Sequence, residues 1–255
     1  MLRSRVIPCL LIHNKGLVKT VNFTNPKYVG DPINAVKIFN EKEVDEILIL
    51  DIDATVNGME PNYSLIEKLA LECRMPLCYG GGINSVEQAS KIIELGVEKV
   101  ALSSAIIQNT LLISSIANTI GSQSVVAVID VKKKTFGGYT VFTNNGKKKI
   151  DKDLVKLLNQ IEECGAGEIV INSIDNDGVM KGYDLNLIKK VREAVSIPIT
   201  TLGGAGSKEH IFELVNRFKI IGAAAGSLFV FKGIYKAVLI NYFTQAEINK
   251  LDQNL

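Results

Sequence analysis

Glycines and serines follow several apolar runs of the sequence, at places where a chain could bind phosphate. Gly82 follows one run and Gly204 another. Glycine lets backbone N–H groups approach an anion, and a serine at a helix start adds a hydroxyl. Because the pairing of Gly82 with Ser104 is repeated by Gly204 with Ser227, the sequence predicts two phosphate sites and a substrate with phosphates at both ends. The residues assigned to these sites are Gly81, Gly82, Ser103, Ser104, Gly178, Gly203, Gly204, Gly226 and Ser227.

Aspartates also follow the apolar runs. Asp130 ends a long buried run, and an ionised carboxylate there is costly without a task or a partner, so we expect general acid/base chemistry from it. Asp53 and Asp175 fit a loop hydrogen bond and a functional role equally well. His13 and His210 are isolated in the sequence, so no metal site and no cofactor are expected.

Apolar β-rich runs alternate with amphipathic helical patterns along the chain. The runs are mostly continuous, which is typical of parallel strands buried on both faces. Eight β/α units in this length predict a (β/α)8 TIM barrel; an open doubly wound sheet is disfavoured because no GxGxxG follows the first run. The strands are expected at 5–12, 46–52, 76–79, 99–103, 124–131, 168–173, 198–202 and 220–225. The helices are expected at 32–43, 63–73, 85–95, 110–120, 152–164, 185–195, 207–215 and 234–242.

The first half of the sequence resembles the second half. VDEILILDIDA at 44–54 matches AGEIVINSIDN at 166–176, and PLCYGGGI at 76–83 matches PITTLGGA at 198–205. Both pairs are 122 residues apart. Four strands therefore correspond in order to the next four, which favours a closed barrel made of two similar half-barrels in a single domain, 1–255.

Composition excludes several classes of protein. The 255 residues carry a formal net charge of +2, so a nucleic-acid-binding protein is not expected. No apolar run approaches the roughly 18 to 20 residues of a membrane span. The four cysteines, Cys9, Cys73, Cys78 and Cys164, form no metal or redox motif. We expect free buried thiols in a cytoplasmic protein.

The motifs together resemble one family over residues 1–231. The chain is similar to HisF, the cyclase subunit of imidazole glycerol phosphate synthase. The resemblance implies a (β/α)8 barrel that forms a heterodimer with a HisH-like glutaminase subunit. Ammonia from that partner would enter the barrel bottom, cross the barrel and react at the top with a long ribonucleotide-derived bisphosphate. The motifs that carry it are RVIPCL, LVKTVNF, GDP, DEILILDIDA, YGGGI, GSQSVV, GAGEI, SIDNDG, KGYD and GGAG.

The family's ammonia gate is a ring of four charged residues at the bottom of the barrel. Arg5, Glu46, Lys99 and Glu168 match this ring. Two bases and two acids can also pair with one another as a plain salt-bridge plug, so both interpretations stay open.

The chain departs from the family at the top of the barrel. The resemblance places Lys19, Asp51 and Asp177 in the substrate pocket, and Asp130 as one member of a catalytic aspartate pair. The other member is replaced by Leu11, which cannot transfer a proton. Three more pocket positions also differ from the family, namely Thr20, Ser103 and Val179.

Three functions agree with this pattern. The leading hypothesis is a HisF-like paralogue that relays ammonia to a sugar amidotransferase, which forms acetamidino groups on bacterial surface sugars. The first alternative is a genuine cyclase/lyase that makes imidazole glycerol phosphate and AICAR in histidine biosynthesis. The second is a non-catalytic activator of the glutaminase.

Overall fold

The computed structural model describes residues 3–252. Fourteen strands and ten α-helices lie along this part of the chain. The strands are β1 (Arg5–His13), β2 (Gly16–Val21), β3 (Thr24–Gly30), β4 (Ile47–Asp51), β5 (Leu77–Gly80), β6 (Lys99–Leu102), β7 (Val125–Lys133), β8 (Tyr139–Thr143), β9 (Lys148–Ile150), β10 (Glu168–Ser173), β11 (Ile199–Leu202), β12 (Gly222–Ala225), β13 (Phe231–Lys232) and β14 (Ala237–Val238). The helices are α1 (Pro32–Glu41), α2 (Tyr63–Glu72), α3 (Val86–Glu94), α4 (Ser104–Gln108), α5 (Leu111–Ile120), α6 (Leu154–Glu163), α7 (Leu185–Ala194), α8 (Lys208–Phe218), α9 (Ser227–Val230) and α10 (Gln245–Asp252).

Eight parallel strands close into a barrel. Their order around it is β1, β4, β5, β6, β7, β10, β11 and β12, and β12 pairs again with β1. At this last junction, Arg5 lies in register with Gly222. The closed ring confirms the predicted (β/α)8 barrel, in which helices cover the outside and the carboxyl ends of all eight strands share one face. We call this face the mouth.

Local sequence explains where the outer helices begin. Asp31 accepts a hydrogen bond from the backbone N–H of Asn34 at 2.9 Å and caps α1, whose first residue is a proline. Ser85 accepts from Gln88 N–H at 3.2 Å and caps α3, as the capping-box motif predicts. These caps fix the helix starts at the mouth, beside the strand ends.

The core has two layers. The larger layer lies between the strands and the outer helices and contains the largest buried side chains, among them Phe39 and Tyr79. The second fills the inside of the barrel with small and branched apolar side chains, including Cys9, Val126 and Val170. Alternate residues of each strand supply the two layers because successive side chains point to opposite faces.

Two hairpins that the sequence analysis did not predict extend the barrel wall at the mouth. The first, β2–β3, follows β1, and the second, β8–β9, follows β7, the equivalent strand of the other half. Each reaches across to the opposite half. Asn22 Nδ2 of the first donates to Ile174 O at 3.0 Å, and Asn145 Nδ2 of the second donates to Ile52 O at 2.7 Å. The internal repeat therefore includes these crossing contacts.

The prediction of a helix at 234–242 is wrong. The segment forms the short hairpin β13–β14, and the helix follows later as α10. Gly233 adopts a φ of +73° and accepts a hydrogen bond from Lys236 N–H, which closes a turn in place of a first helical turn. None of the helices within residues 3–252 is long and apolar enough to cross a membrane.

Candidate active site

A cavity of about 340 Å³ opens at the mouth. Of the residues that the sequence assigned to the phosphate sites, the substrate pocket and proton transfer, only Val179 does not line it, and none of the four residues of the charged ring lines it. The assigned residues that line it are Leu11, Lys19, Asp51, Gly81, Gly82, Ser103, Ser104, Asp130, Asp177, Gly178, Gly203, Gly204, Gly226 and Ser227.

Asp130 ends the cavity-facing part of β7. Its Oδ1 accepts a hydrogen bond from Asn172 Nδ2 at 2.9 Å. Burial raises the pKa of Asp130 to about 7, against the lowering effect of that hydrogen bond. Such a carboxyl can both accept and donate a proton near neutral pH.

Asn172 is a site residue that the sequence analysis missed. It is buried, lines the cavity and lies in register with Asp130 across β7 and β10. Its Oδ1 makes no hydrogen bond within residues 3–252. The internal repeat could have identified Asn172, because it aligns Asn172 with Leu50 and Asp130 with Leu11. The polar pair in one half therefore takes the place of an apolar pair in the other.

Lys19 is buried and points between β1 and β12. Its Nζ donates a hydrogen bond to the carbonyl of Cys9, and burial lowers its pKa. Gly226 makes this position possible, because a Cβ there would lie 2.3 Å from Lys19 Nζ. Gly226 therefore provides space for the lysine at the edge of one predicted phosphate site.

Asp177 holds the first hairpin over the mouth. Thr20 Oγ1 donates to Asp177 Oδ2 at 2.8 Å, and burial raises the pKa of this carboxyl. The adjacent Gly178 has a φ of +68°, and a Cβ there would lie 2.0 Å from the carbonyl oxygen of Thr20. Thr20, one of the departures from the family, thus belongs to the contact that closes this side of the cavity.

The other aspartates at the strand ends organise loops. Asp51 Oδ1 accepts from the backbone N–H groups of Asp53 at 2.9 Å and Ala54 at 3.1 Å, and burial raises the Asp51 pKa. Asp53 binds His13 Nδ1 at 2.6 Å, while Asp175 accepts from Lys133 N–H at 2.7 Å. For Asp53 and Asp175, these contacts favour the loop interpretation. Within the described chain, no group of three potential metal ligands occurs.

The glycine turns have the backbone conformation that glycine permits. Gly82 has a φ of +75° and Gly204 a φ of +117°, and a Cβ at Gly204 would lie 2.1 Å from Gly182 O. Gly82 N–H is already bound to Thr55 Oγ1 at 3.1 Å, so a phosphate there would have to compete for this donor. Ser104 Oγ accepts from Asn144 N–H at 3.3 Å. Phosphate binding at these turns stays a prediction.

Four charged side chains close the opposite end of the barrel. Arg5 Nη2 lies 2.6 Å from Glu168 Oε1, and its other terminal nitrogen pairs with Glu46. Lys99 Nζ lies 2.9 Å from Glu46 Oε1 and 3.0 Å from Glu168 Oε2. Burial alone would lower the pKa of Lys99, but the two carboxylates outweigh it and raise the pKa. The contacts form a complete ring, which is compatible with both a gate and a plug.

A packed apolar layer separates this ring from the cavity. Leu48, Cys78, Val128 and Ala224 are among the side chains that fill it, and all are buried. The barrel thus presents a charged ring, an apolar interior and the cavity with Asp130 in succession along its axis. This defines the chain as a (β/α)8 barrel with a candidate catalytic carboxyl at the strand ends and a charged closure at the far end.

Comparison with known proteins agrees with this class. The model of the histidine biosynthesis protein family matches residues 5–236. The "Putative imidazole glycerol phosphate synthase subunit hisF3" of Vibrio vulnificus is 60% identical over 98% of this chain and 96% of its own. The "Putative imidazole glycerol phosphate synthase subunit hisF2" of Pseudomonas aeruginosa is 52% identical over 99% of both chains. The "Imidazole glycerol phosphate synthase subunit HisF" of Streptococcus sanguinis is 38% identical over 90% of this chain and 91% of its own.

The chain belongs to the histidine biosynthesis protein family and is a HisF-like subunit of the imidazole glycerol phosphate synthase type. The resemblance inferred from the sequence motifs is confirmed.

Proposed function

We propose that the protein is a HisF-like paralogue that takes ammonia from a HisH-like glutaminase and delivers it to a phosphorylated acceptor other than the histidine precursor. The leading acceptor is a surface sugar, held by a sugar amidotransferase that forms its acetamidino group. The observation that carries this proposal is the apolar pair of Leu11 and Leu50, because neither side chain can transfer a proton at the positions where the other half has Asp130 and Asn172.

The ammonia path follows the barrel axis. Ammonia is small and uncharged, so an apolar interior costs it little, whereas ammonium would have to leave its hydration shell. The ring of Arg5, Glu46, Lys99 and Glu168 blocks the entrance while all its ion pairs are made. Delivery therefore requires that docking of the glutaminase separates at least one of these pairs.

Asp130 is the group that transfers protons at the mouth. Ammonia that attacks an electrophilic carbon must lose a proton, and a carboxylate with a pKa of about 7 can accept it. Asn172 keeps the Asp130 carboxyl oriented toward the cavity through its hydrogen bond. Leu11 cannot serve as the second acid that coupled ring closure and elimination would need. Its presence therefore favours simple amidation.

Histidine-pathway cyclase activity is the second candidate. It is favoured by Asp130 and by the cavity, which retains the rest of the predicted site. The names of the relatives also favour it. In this case Asp130, or a water beside Leu11, would carry both proton transfers.

Complementation separates these candidates. The chain is expressed with its glutaminase partner in a strain that lacks the histidine-pathway cyclase, and growth without histidine is scored. We expect no growth, while a relative with aspartate at the position of Leu11 restores it. Growth at the relative's rate would overturn the paralogue proposal in favour of the cyclase. If the chain only accelerates glutamine hydrolysis and no acceptor is aminated, it is an activator.

A further inference from the structure

The second hairpin is the most strongly basic part of the mouth. Residues 131–150 contain six lysines and no acidic residue. The end of β7 with β8 and β9 forms a three-stranded antiparallel extension, which we call the lysine wall. None of its lysines makes an ion pair within residues 3–252. They are Lys132, Lys133, Lys134, Lys147, Lys148 and Lys149.

The strand register divides these lysines between two faces. Asp130 pairs with Phe142 on β8, and Phe142 pairs with Lys149 on β9. Residues paired across antiparallel strands lie on the same face of the sheet. Because Asp130 lines the cavity, Phe142 and Lys149 lie on the face that continues the cavity wall outward. Lys132, two residues beyond Asp130, shares this inner face.

The inner face holds one of its lysines in place. Lys132 Nζ lies 5.0 Å from the centroid of the Phe142 ring, so its stem packs on the aromatic surface. Phe142 is itself half-buried, which limits its movement. Lys149 extends from the neighbouring strand on the other side of the ring. Two unpaired cations thus flank one aromatic side chain at the rim.

The outer face of these strands packs against the barrel and does not border the cavity. Val131 and Val141 lie on it and are buried against the barrel's outer layer. Lys133 pairs with Tyr139 and Lys148 with Thr143, so both lysines belong to this face. Charge in the lysine wall is therefore similar on both faces, but only the inner face borders the cavity.

The lysine wall is joined to one of the predicted phosphate turns. Asn144, at the end of β8, donates its backbone N–H to Ser104 Oγ at 3.3 Å, and Asn144 itself lines the cavity. This hydrogen bond places the end of the lysine wall beside Ser104 at the mouth. Clefts lined with one sign of charge concentrate ligands of the opposite sign and raise their association rates.

We propose that Lys132 and Lys149, on either side of Phe142, form an outer phosphate site that captures a phosphate monoester of the substrate before it enters the cavity. This proposal rests on the proposed function, because it takes the acceptor to be phosphorylated. The two lysines bind the dianion, and Phe142 keeps Lys132 extended toward it. The phosphate then moves inward to the turn at Gly82 and Ser104.

The test compares lysines on the two faces of the same strands. The inner variant is Lys132→Gln with Lys149→Gln, and the control is Lys133→Gln with Lys148→Gln, which removes the same charge from the outer face. Binding of fructose 1,6-bisphosphate to the full chain is measured by calorimetry at low and at high salt. We expect the inner variant to bind roughly tenfold more weakly at low salt, and the control to change by less than about twofold.

Salt gives a second criterion, because screening weakens contacts between exposed charges. The difference between the inner variant and the unmodified chain is expected to shrink at high salt. Equal weakening by the two variants would overturn the outer site and leave only a general effect of net charge. If the unmodified chain does not bind the bisphosphate at all, both the outer site and the phosphorylated acceptor are wrong. Binding that is unchanged in the inner variant overturns the outer site alone.

Discussion

Leu11 lies in register with Leu50, at the positions that Asp130 and Asn172 occupy in the other half of the barrel. The polar pair shares a hydrogen bond of 2.9 Å at the cavity, whereas the apolar pair packs on the barrel interior. The two halves therefore share the same strand register at these positions, but their side chains differ in chemistry. Asp130 therefore has no acid/base counterpart at the equivalent position of the first half, where Leu11 stands.

The first prediction concerns Leu11. Loss of one general acid/base group costs roughly 10² to 10⁴ in rate, so cyclase turnover with ammonium salts should lie at least about a hundredfold below that of an aspartate-bearing relative. Leu11→Asp should raise it only in part, because Thr20, Ser103 and Val179 also differ. The added carboxylate meets Leu50 and the apolar interior, so the melting temperature should fall.

Leu11→Asn is the matched control for that variant. It brings a polar group of the same size without a transferable proton, so it should lower stability but leave turnover unchanged. Normal cyclase turnover in the unmodified chain would contradict the prediction and the proposed paralogue role together.

The second prediction concerns pH and Asp130. Its folded pKa of about 7 lies above the ordinary value of 3.8 because burial disfavours the charged form. The folded state thus holds this proton more tightly than the unfolded state. Its stabilising contribution is complete at pH values below 3.8 and is lost as pH rises toward 7. Between pH 5 and pH 8 the unmodified chain should lose about 3 kcal/mol of unfolding free energy relative to Asp130→Asn.

Urea denaturation of both proteins at several pH values checks this difference. Asp53→Asn serves as a control, because Asp53 lies outside the cavity. A parallel pH dependence for the unmodified chain and Asp130→Asn would show that Asp130 is ionised in the folded protein throughout this range.

The third prediction concerns the charged ring. Lys99→Glu places a third carboxylate beside Glu46 and Glu168, and only Arg5 remains to balance them. Breaking a buried ion pair in this way typically costs about 3 to 5 kcal/mol. We expect lower stability and a loss of coupling between glutamine hydrolysis and ammonia use. The ratio of glutamate released to acceptor aminated, measured with the glutaminase bound, reports this coupling.

Lys189→Glu is the control for charge alone, since Lys189 is exposed and pairs only weakly with Glu193. It should leave the coupling ratio unchanged. A ratio of one in Lys99→Glu would mean that the ring is a structural plug and not a gate.

The fourth prediction concerns the glycine turns. A crystal structure in high phosphate or sulfate is expected to show one anion at Gly82 and Ser104, and another at Gly204 and Ser227. Gly204→Ala should abolish the second anion, because its Cβ would lie 2.1 Å from Gly182 O and the turn must shift. Both turns empty in the unmodified chain would count against a substrate with two phosphates.

The barrel was predictable because the sequence patterns that indicate it are local and occur in both halves. Continuous apolar runs marked the strands, and the 122-residue repeat indicated closure. The first hairpin was missed because its turn has no glycine: Asn22 and Phe23 take positive φ there, at +51° and +63°. The second was missed although Gly137-Gly138 and Asn145-Gly146 mark its two turns in the sequence. The segment 234–242 was mistaken for a helix because its apolar residues obscured the turn at Gly233.

The site was predictable as a set of residues but not as a set of contacts. Fourteen of the residues that line the cavity were assigned from strand ends, motifs and the family resemblance. The role of Asn172 depends on register with Asp130, which no sequence period specifies. The loop roles of Asp53 and Asp175 likewise depend on distant partners, His13 and the backbone of Lys133.

Each of the two hairpins binds a loop in the opposite half of the barrel. Asn22 of the first half binds the loop of the second, and Asn145 of the second binds the loop of the first. Such a reciprocal exchange of one element is what a symmetric dimer with swapped segments makes across its twofold axis. A half-barrel alone would leave its strand ends uncovered and its hairpin without a receptor. In a pair of identical half-barrels, each would cover the strand ends of the other and bind the other's hairpin. The contact between the two halves of this one chain therefore has the reciprocal form of a homodimer interface.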